Sequence, residues 1–137
     1  MNIKNQKPKG KIVLRTLAMP ADTNANGDIF GGWIMSQMDI GGAILAKELV
    51  RGRVVTVSVN GMTFLKSVAV GDVVSCYAQC IRVGNTSITI KIEVWIKKVS
   101  SELLGQSYCT TEAIFVYVAV DELGQPRTIL PINNTMI

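Results

Sequence analysis

A chain of 137 residues with 48% hydrophobic content suits one domain, large enough to bury a core without metal or disulfide staples. Its 14 Lys and Arg against 10 Asp and Glu make it mildly basic, which suits a polyanionic ligand but lacks the clustered basic stripe of a nucleic-acid binder. Histidine is absent, which excludes Ser-His-Asp and Cys-His catalysis and most zinc and non-haem iron sites, and leaves acid–base chemistry to Asp, Glu, Lys, Tyr or water.

Residues 1–10 are polar, carry most of a basic run from Lys4 to Lys11, and read as a flexible N-terminal tail. A single domain follows over 11–130, with a polar C-terminal tail at 131–137. Ile12, Val13, Leu14 and Leu17 mark a first strand. Pro20 to Asp28 is a loop whose Asx and Gly residues favour local side-chain to backbone bonds. From Gly31 and Gly32 to Val50 the apolar residues Ile34, Met35, Met38, Gly42, Leu45, Ala46 and Leu49 recur at spacings of three and four, which predicts a long helix. Gly52 is placed just past its end, where glycine is favoured. Gly41 and Gly42 cost about 1 kcal/mol each inside a helix, which points to close packing on a sheet. Four strands are then expected, at Val54–Leu65, Asp72–Val83, Ser87–Val99 and Ser107–Val120. The best alternation is Ile88, Ile90, Ile92, Val94 and Ile96 on one face, with Trp95 on the other.

One strand, one long helix and four strands describe an α+β layer: a curved antiparallel sheet of about five strands wrapped round one central helix. The outer face also carries apolar residues, among them Trp95, Val116 and Val118, which a second subunit would cover. Cys76 and Cys80, four apart in a strand, share a side and read as buried thiols of a reducing cytoplasm. No apolar run reaches the roughly 18 residues of a bilayer span, so membrane insertion is not expected and a cytoplasmic location is.

The chemistry concentrates between Asn24 and Asp39. A polar loop feeds a helix start at Gly31-Gly32, and a carboxylate, Asp39, follows two turns later at the margin of the apolar stripe. Free N–H groups and the positive end of the helix dipole suit an oxyanion there, and Asn24 can polarise a carbonyl or position a water. A carboxylate, an amide and a backbone donor suffice to hydrolyse an activated ester. The residues alone leave a structural and a catalytic role for Asp39 both open.

The pattern D-x-N-x-x-G-x-x-x-G-G-x-x-x-x-x-x-D, from Asp22 to Asp39, is present without a gap. Arg15 to Pro20, Asp39-Ile40-Gly41-Gly42-Ala43, Arg53 to Val57, Phe64-Leu65-Lys66, Val70 to Val74 and Glu93-Val94-Trp95 extend the match over nearly the whole chain. Together these segments resemble the YciA-type acyl-CoA thioesterases. The resemblance implies a hotdog fold and hydrolysis of acyl-CoA to free CoA and a carboxylate, with no cofactor or metal. It also implies self-association as a dimer with interfacial active sites, built into a trimer of dimers. It places the base or nucleophile on Asp39, the loop amide on Asn24 and the carbonyl-polarising N–H on Gly32, with Gly31 beside it. Thr56 and Ser58 lie on a strand that would line the site across the dimer. Arg82, Gly84, Asn85, Thr86 and Ser87 form a reversal suited to CoA phosphates, or an ordinary Gly-Asn hairpin. Lys66 and Lys98 read as a solvated face, and Phe64 to Ser67 as a channel for the pantetheine arm. The alternative is a non-catalytic acyl-CoA or acyl-carrier binding module on the same fold.

Overall fold

The computed structural model describes residues 7–98 and 106–133. The elements follow the expected order: β1 (Lys11–Leu17), α1 (Gly31–Val50), β2 (Val54–Phe64), β3 (Val73–Val83), β4 (Ser87–Lys97) and β5 (Ser107–Ala119). The expected tails fall partly outside the described residues, as do Val99 and the segment 99–105 between β4 and β5. Of the N-terminal tail, Lys9 reaches the sheet, its N–H donating to Glu93 Oε1 at 3.4 Å. Among the described residues no helix is long and apolar enough to cross a membrane.

The sheet order is β1-β3-β4-β5-β2, with every neighbouring pair antiparallel. The helix packs against all five strands. Ile88, Ile90, Ile92, Val94 and Ile96 of β4 are fully buried and join Met38, Leu45, Ala46 and Leu49 of α1 in one core. The period of two on the strand and of three and four on the helix therefore meet along a single seam.

Gly41 and Gly42 set how close that seam is. A Cβ on Gly42 would stand 2.3 Å from Tyr117 Oη and 2.5 Å from Ile92 Cδ1. On Gly41 it would stand 2.9 Å from Val13 Cγ2. The helix thus gives up propensity at two positions and gains contact with β1, β4 and β5.

Three expectations need correction. The left-handed residue at the helix end is Arg51 (φ 58°, ψ 50°), not Gly52. Gly52 leaves room for Arg127: its Cβ would lie 2.6 Å from Arg127 Nη2, which donates to the carbonyl of Val50 at 2.8 Å and would have to shift. Met35 is exposed on the helix, outside the core stripe. Trp95 is 4% exposed within one chain, its indole N–H donating to the buried Glu93 carboxylate at 2.8 Å, so it needs no second subunit to cover it.

Gly42→Ala is expected to lower stability by about 1–3 kcal/mol through overpacking. Gly32→Ala, where nothing lies within 4 Å of a built Cβ, is expected to unfold near the wild-type midpoint. Chemical denaturation of the two variants checks this, and coincident midpoints would contradict the packing argument.

Candidate functional site

The loop before α1 is built by Asn24. Its Oδ1 accepts from the N–H of Asn26 at 2.9 Å and of Asp28 at 3.2 Å, as expected of an Asx residue closing a turn. Two donors on that oxygen fix the amide's orientation and leave the Nδ2 group to donate elsewhere. The loop is tied down further by Ile29 N–H to the Val68 carbonyl at 3.0 Å and Phe30 N–H to the Asp22 carbonyl at 2.9 Å.

The helix start carries no side-chain cap. Its first backbone bond runs from Ile34 N–H to the Phe30 carbonyl at 3.2 Å, so the N–H groups of Gly31, Gly32 and Trp33 have no intrahelical acceptor. The ring of Phe64 lies against Gly31, 3.3 Å from where a Cβ would be, whereas Gly32 faces open space. A cleft of about 400 Å³ opens beside this end, lined among others by Asn24, Gly31, Ile34, Phe64, Lys66 and Val68. An anion or a carbonyl oxygen is favoured at such a place.

Asp39 sits two turns on, half-buried, where α1 passes β2. Thr56 Oγ1 donates to its Oδ1 at 2.6 Å, a short bond that orients the carboxylate. Beneath the helix, the fully buried Tyr117 hydroxyl donates to the Asp39 carbonyl at 3.0 Å. Burial, and then the Asp39 carboxylate nearby, push the Tyr117 phenol well above its ordinary range, so it remains a protonated donor. Asp39 is thus held from β2 through its side chain and from β5 through its backbone.

Thr56 was expected to touch ligand; the structure brings it to Asp39 of its own chain. Ser58, expected with it on a strand lining the site across the dimer, lies on the opposite face of β2. The register of β2 on β5 shifts between Thr56, opposite Tyr117, and Ser58, opposite Val116. This bulge at Val57 turns Ser58 to the outer face, where its Oγ accepts from Asn60 Nδ2 at 3.4 Å. In the β3–β4 hairpin, Gly84 N–H is taken by the Ser87 carbonyl at 2.7 Å, and the carbonyls of Asn85 and Thr86 accept from Ile129 and Ala119. Gly84 therefore has no N–H to offer a phosphate, while Arg82 is exposed. Lys98 is not on a solvated face: it is largely buried against Asp72, 2.6 Å away. Lys66 is exposed, with Nζ 4.6 Å from the centre of the Tyr108 ring. Burial pushes the Cys76 thiol up to about 12 and the Cys109 thiol up to about 11, so both are protonated and poor nucleophiles at neutral pH. Among the described residues no group of three or more Cys, Asp and Glu gathers to hold a metal ion.

Residues 26–102 match the family model of the thioesterase superfamily. An acyl-CoA thioester hydrolase of Buchnera aphidicola (subspecies Baizongia pistaciae), itself uncharacterized, is 90% identical over 133 residues, covering 97% of this chain and 98% of its own. The acyl-CoA thioester hydrolase YciA of Escherichia coli K12 is 69% identical over 133 residues, covering 97% of this chain and 100% of its own. Among solved structures, the hexameric thioesterase of Yersinia pestis superposes with a TM-score of 0.88 at 73% identity, covering 91% of this chain and 100% of that one.

Proposed function

The chain belongs to the thioesterase superfamily and is an acyl-CoA thioester hydrolase, and we propose that Asp39 carries its reaction across a subunit interface. The single observation that carries this reading is the Thr56–Asp39 bond, which orients a half-buried carboxylate, whose other oxygen we assign to the reactant. A water held by that oxygen loses its proton to Asp39 as it attacks the thioester carbonyl. Alternatively the carboxylate itself attacks, and water then hydrolyses the resulting mixed anhydride to release the acid and restore Asp39. The developing oxyanion is met by the Gly32 N–H and the Asn24 amide, and the CoA thiolate leaves. Arg82 with the hydroxyls of Thr86 and Ser87 is assigned to the CoA phosphates.

Helix geometry favours two subunits for one site. Gly32 and Asp39 are seven residues apart, about 10 Å along the axis at 1.5 Å per residue. A carbonyl held by the Gly32 N–H is too far for direct attack by Asp39 of the same helix, since reacting atoms must approach to about 3–3.5 Å. The partner subunit's Gly32 and Asn24 solve this if two helices face each other. The surface for it exists. The strand β2 is a sheet edge with unpaired backbone groups, and Val55, Val57 and Val59 on it are exposed, as are Met35, Ile40 and Ile44 on α1. A long apolar edge left open invites aggregation, and β2 of a second copy covers it. Trimerisation of such dimers would give the assembly size of the Yersinia pestis hexamer.

Asp39→Asn is expected to fold normally and to lose on the order of a hundredfold or more in kcat, measured as thiol released from acyl-CoA. Binding of acyl-CoA without thiol release by the wild type would instead favour a non-catalytic module. Thr56→Val should cost about tenfold in kcat with little change in KM, and Thr56→Ser should recover most of it, because only the hydroxyl is needed. Gly32→Pro removes one N–H in the first turn, where proline is tolerated, and should be inactive alone. Co-expressed with Asp39→Asn, it should regain up to about a quarter of wild-type activity, because half of randomly paired dimers then carry one intact site. No recovery in purified mixed oligomers means that the two groups act within one chain.

A further inference from the structure

Asp72 is 2% exposed and takes no part in the chemistry described above. Its Oδ2 accepts from the Lys98 ammonium at 2.6 Å and from the Ala69 N–H at 2.9 Å. Its backbone is fixed as well: the Ala18 N–H donates to the Asp72 carbonyl at 3.0 Å, and the adjacent Gly71 N–H to the Ala18 carbonyl at 2.8 Å. The segment this residue closes, 65–72, carries the chain from β2 to β3 past the helix start. Its first half, Leu65 to Val68, forms one wall of the cleft with Phe64, opposite Asn24 and Gly31. Phe64 is also held by its pairing with Thr111 and Val68 by burial in the core, and the stretch is pinned by single bonds: Leu65 N–H to the Thr110 carbonyl at 2.8 Å, the Thr110 hydroxyl to the Lys66 carbonyl, and Ile29 N–H to the Val68 carbonyl.

A neutral Asn would close the Ala69 turn as well as Asp72 does. Burying a carboxylate costs several kcal/mol, so its charge calls for a purpose. That purpose is Lys98, one residue beyond the end of β4 and largely buried itself. Burial alone would pull the Lys98 ammonium down, but Asp72 and Tyr108 outweigh it and hold it above its ordinary value. The pair therefore ties the far end of the cleft wall to the middle strand of the sheet by an ionic bond between a buried carboxylate and a partly exposed ammonium.

We propose that Asp72 and Lys98 are a positioning pair: they fix the wall formed by Phe64 to Val68, and through it the fit of the apolar arm of the thioester substrate. This rests on the thioesterase reading of the helix start beside which the cleft opens. Neither residue touches Asp39, Thr56 or the helix amides, so the pair governs binding and leaves the chemical step alone.

The test is the double variant Asp72→Asn with Lys98→Met, which removes both charges together and so avoids leaving one buried ion unpaired. It is compared with Lys98→Arg, which keeps the ionic bond. With the oligomer confirmed by size, the double variant is expected to raise KM for acyl-CoA about tenfold and keep kcat within about twofold, while Lys98→Arg keeps both near wild type. Loss of kcat at constant KM, as fewer folded molecules would give, overturns the proposal, as does a KM unchanged in the double variant. A double variant that does not assemble also overturns it, because the pair would then serve folding. Wild-type protein that releases no thiol from any acyl-CoA removes the activity itself, a failure distinct from these.

Discussion

The distance between α1 and the sheet governs everything else in the molecule. With no Cβ at Gly41 and Gly42, the helix settles onto β1, β4 and β5 until Tyr117 Oη reaches the Asp39 carbonyl. That depth also decides whether Thr56, on β2, meets the Asp39 carboxylate. A bulkier helix face would lift Asp39 away from its hydroxyl partner and dissolve the geometry without altering either residue. Core packing and reactivity are therefore one constraint in this fold, enforced at two glycines.

Working without imidazole shapes the rest of the site. On the proposed reading a carboxylate, a weak base in water, takes the place of an imidazole and relies on placement. Asp39 is half-buried and accepts from Thr56 through one carboxylate oxygen. The helix start supplies fixed backbone dipoles, which need no proton inventory of their own. The cysteines, held as neutral thiols by burial, do not compete as nucleophiles.

Much of this was legible in the residue order. The alternation of β4, the three-and-four spacing of α1 and the turn residues between strands each have a local cause, and the elements fall within a few residues of their expected ends. The proposed Asn24–Gly32–Asp39 set could be picked out as a candidate because the loop, the helix start and the carboxylate are close in sequence. What stayed hidden depends on long-range contacts. The partnership of Thr56 with Asp39 spans 17 positions and follows from where β2 returns beside α1. Lys98 reads as one more charged residue at a strand end until Asp72, 26 positions away, is seen behind it. Gly52 looks like a helix terminator by type, yet its smallness serves Arg127, which no local pattern reveals.

Two register shifts, at Val57 and between Asn60 and Thr63, divide β2 into three stretches. Before the first, even-numbered residues such as Thr56 look toward the helix; between the two, even-numbered Ser58 and Asn60 look outward; beyond the second, Phe64 again lies on the helix side, against Gly31. One strand thereby presents Thr56 and Phe64 to the helix from either end of an inverted middle. A one-residue deletion at Val57 would erase that inversion and exchange inside for outside at Ser58 and Asn60.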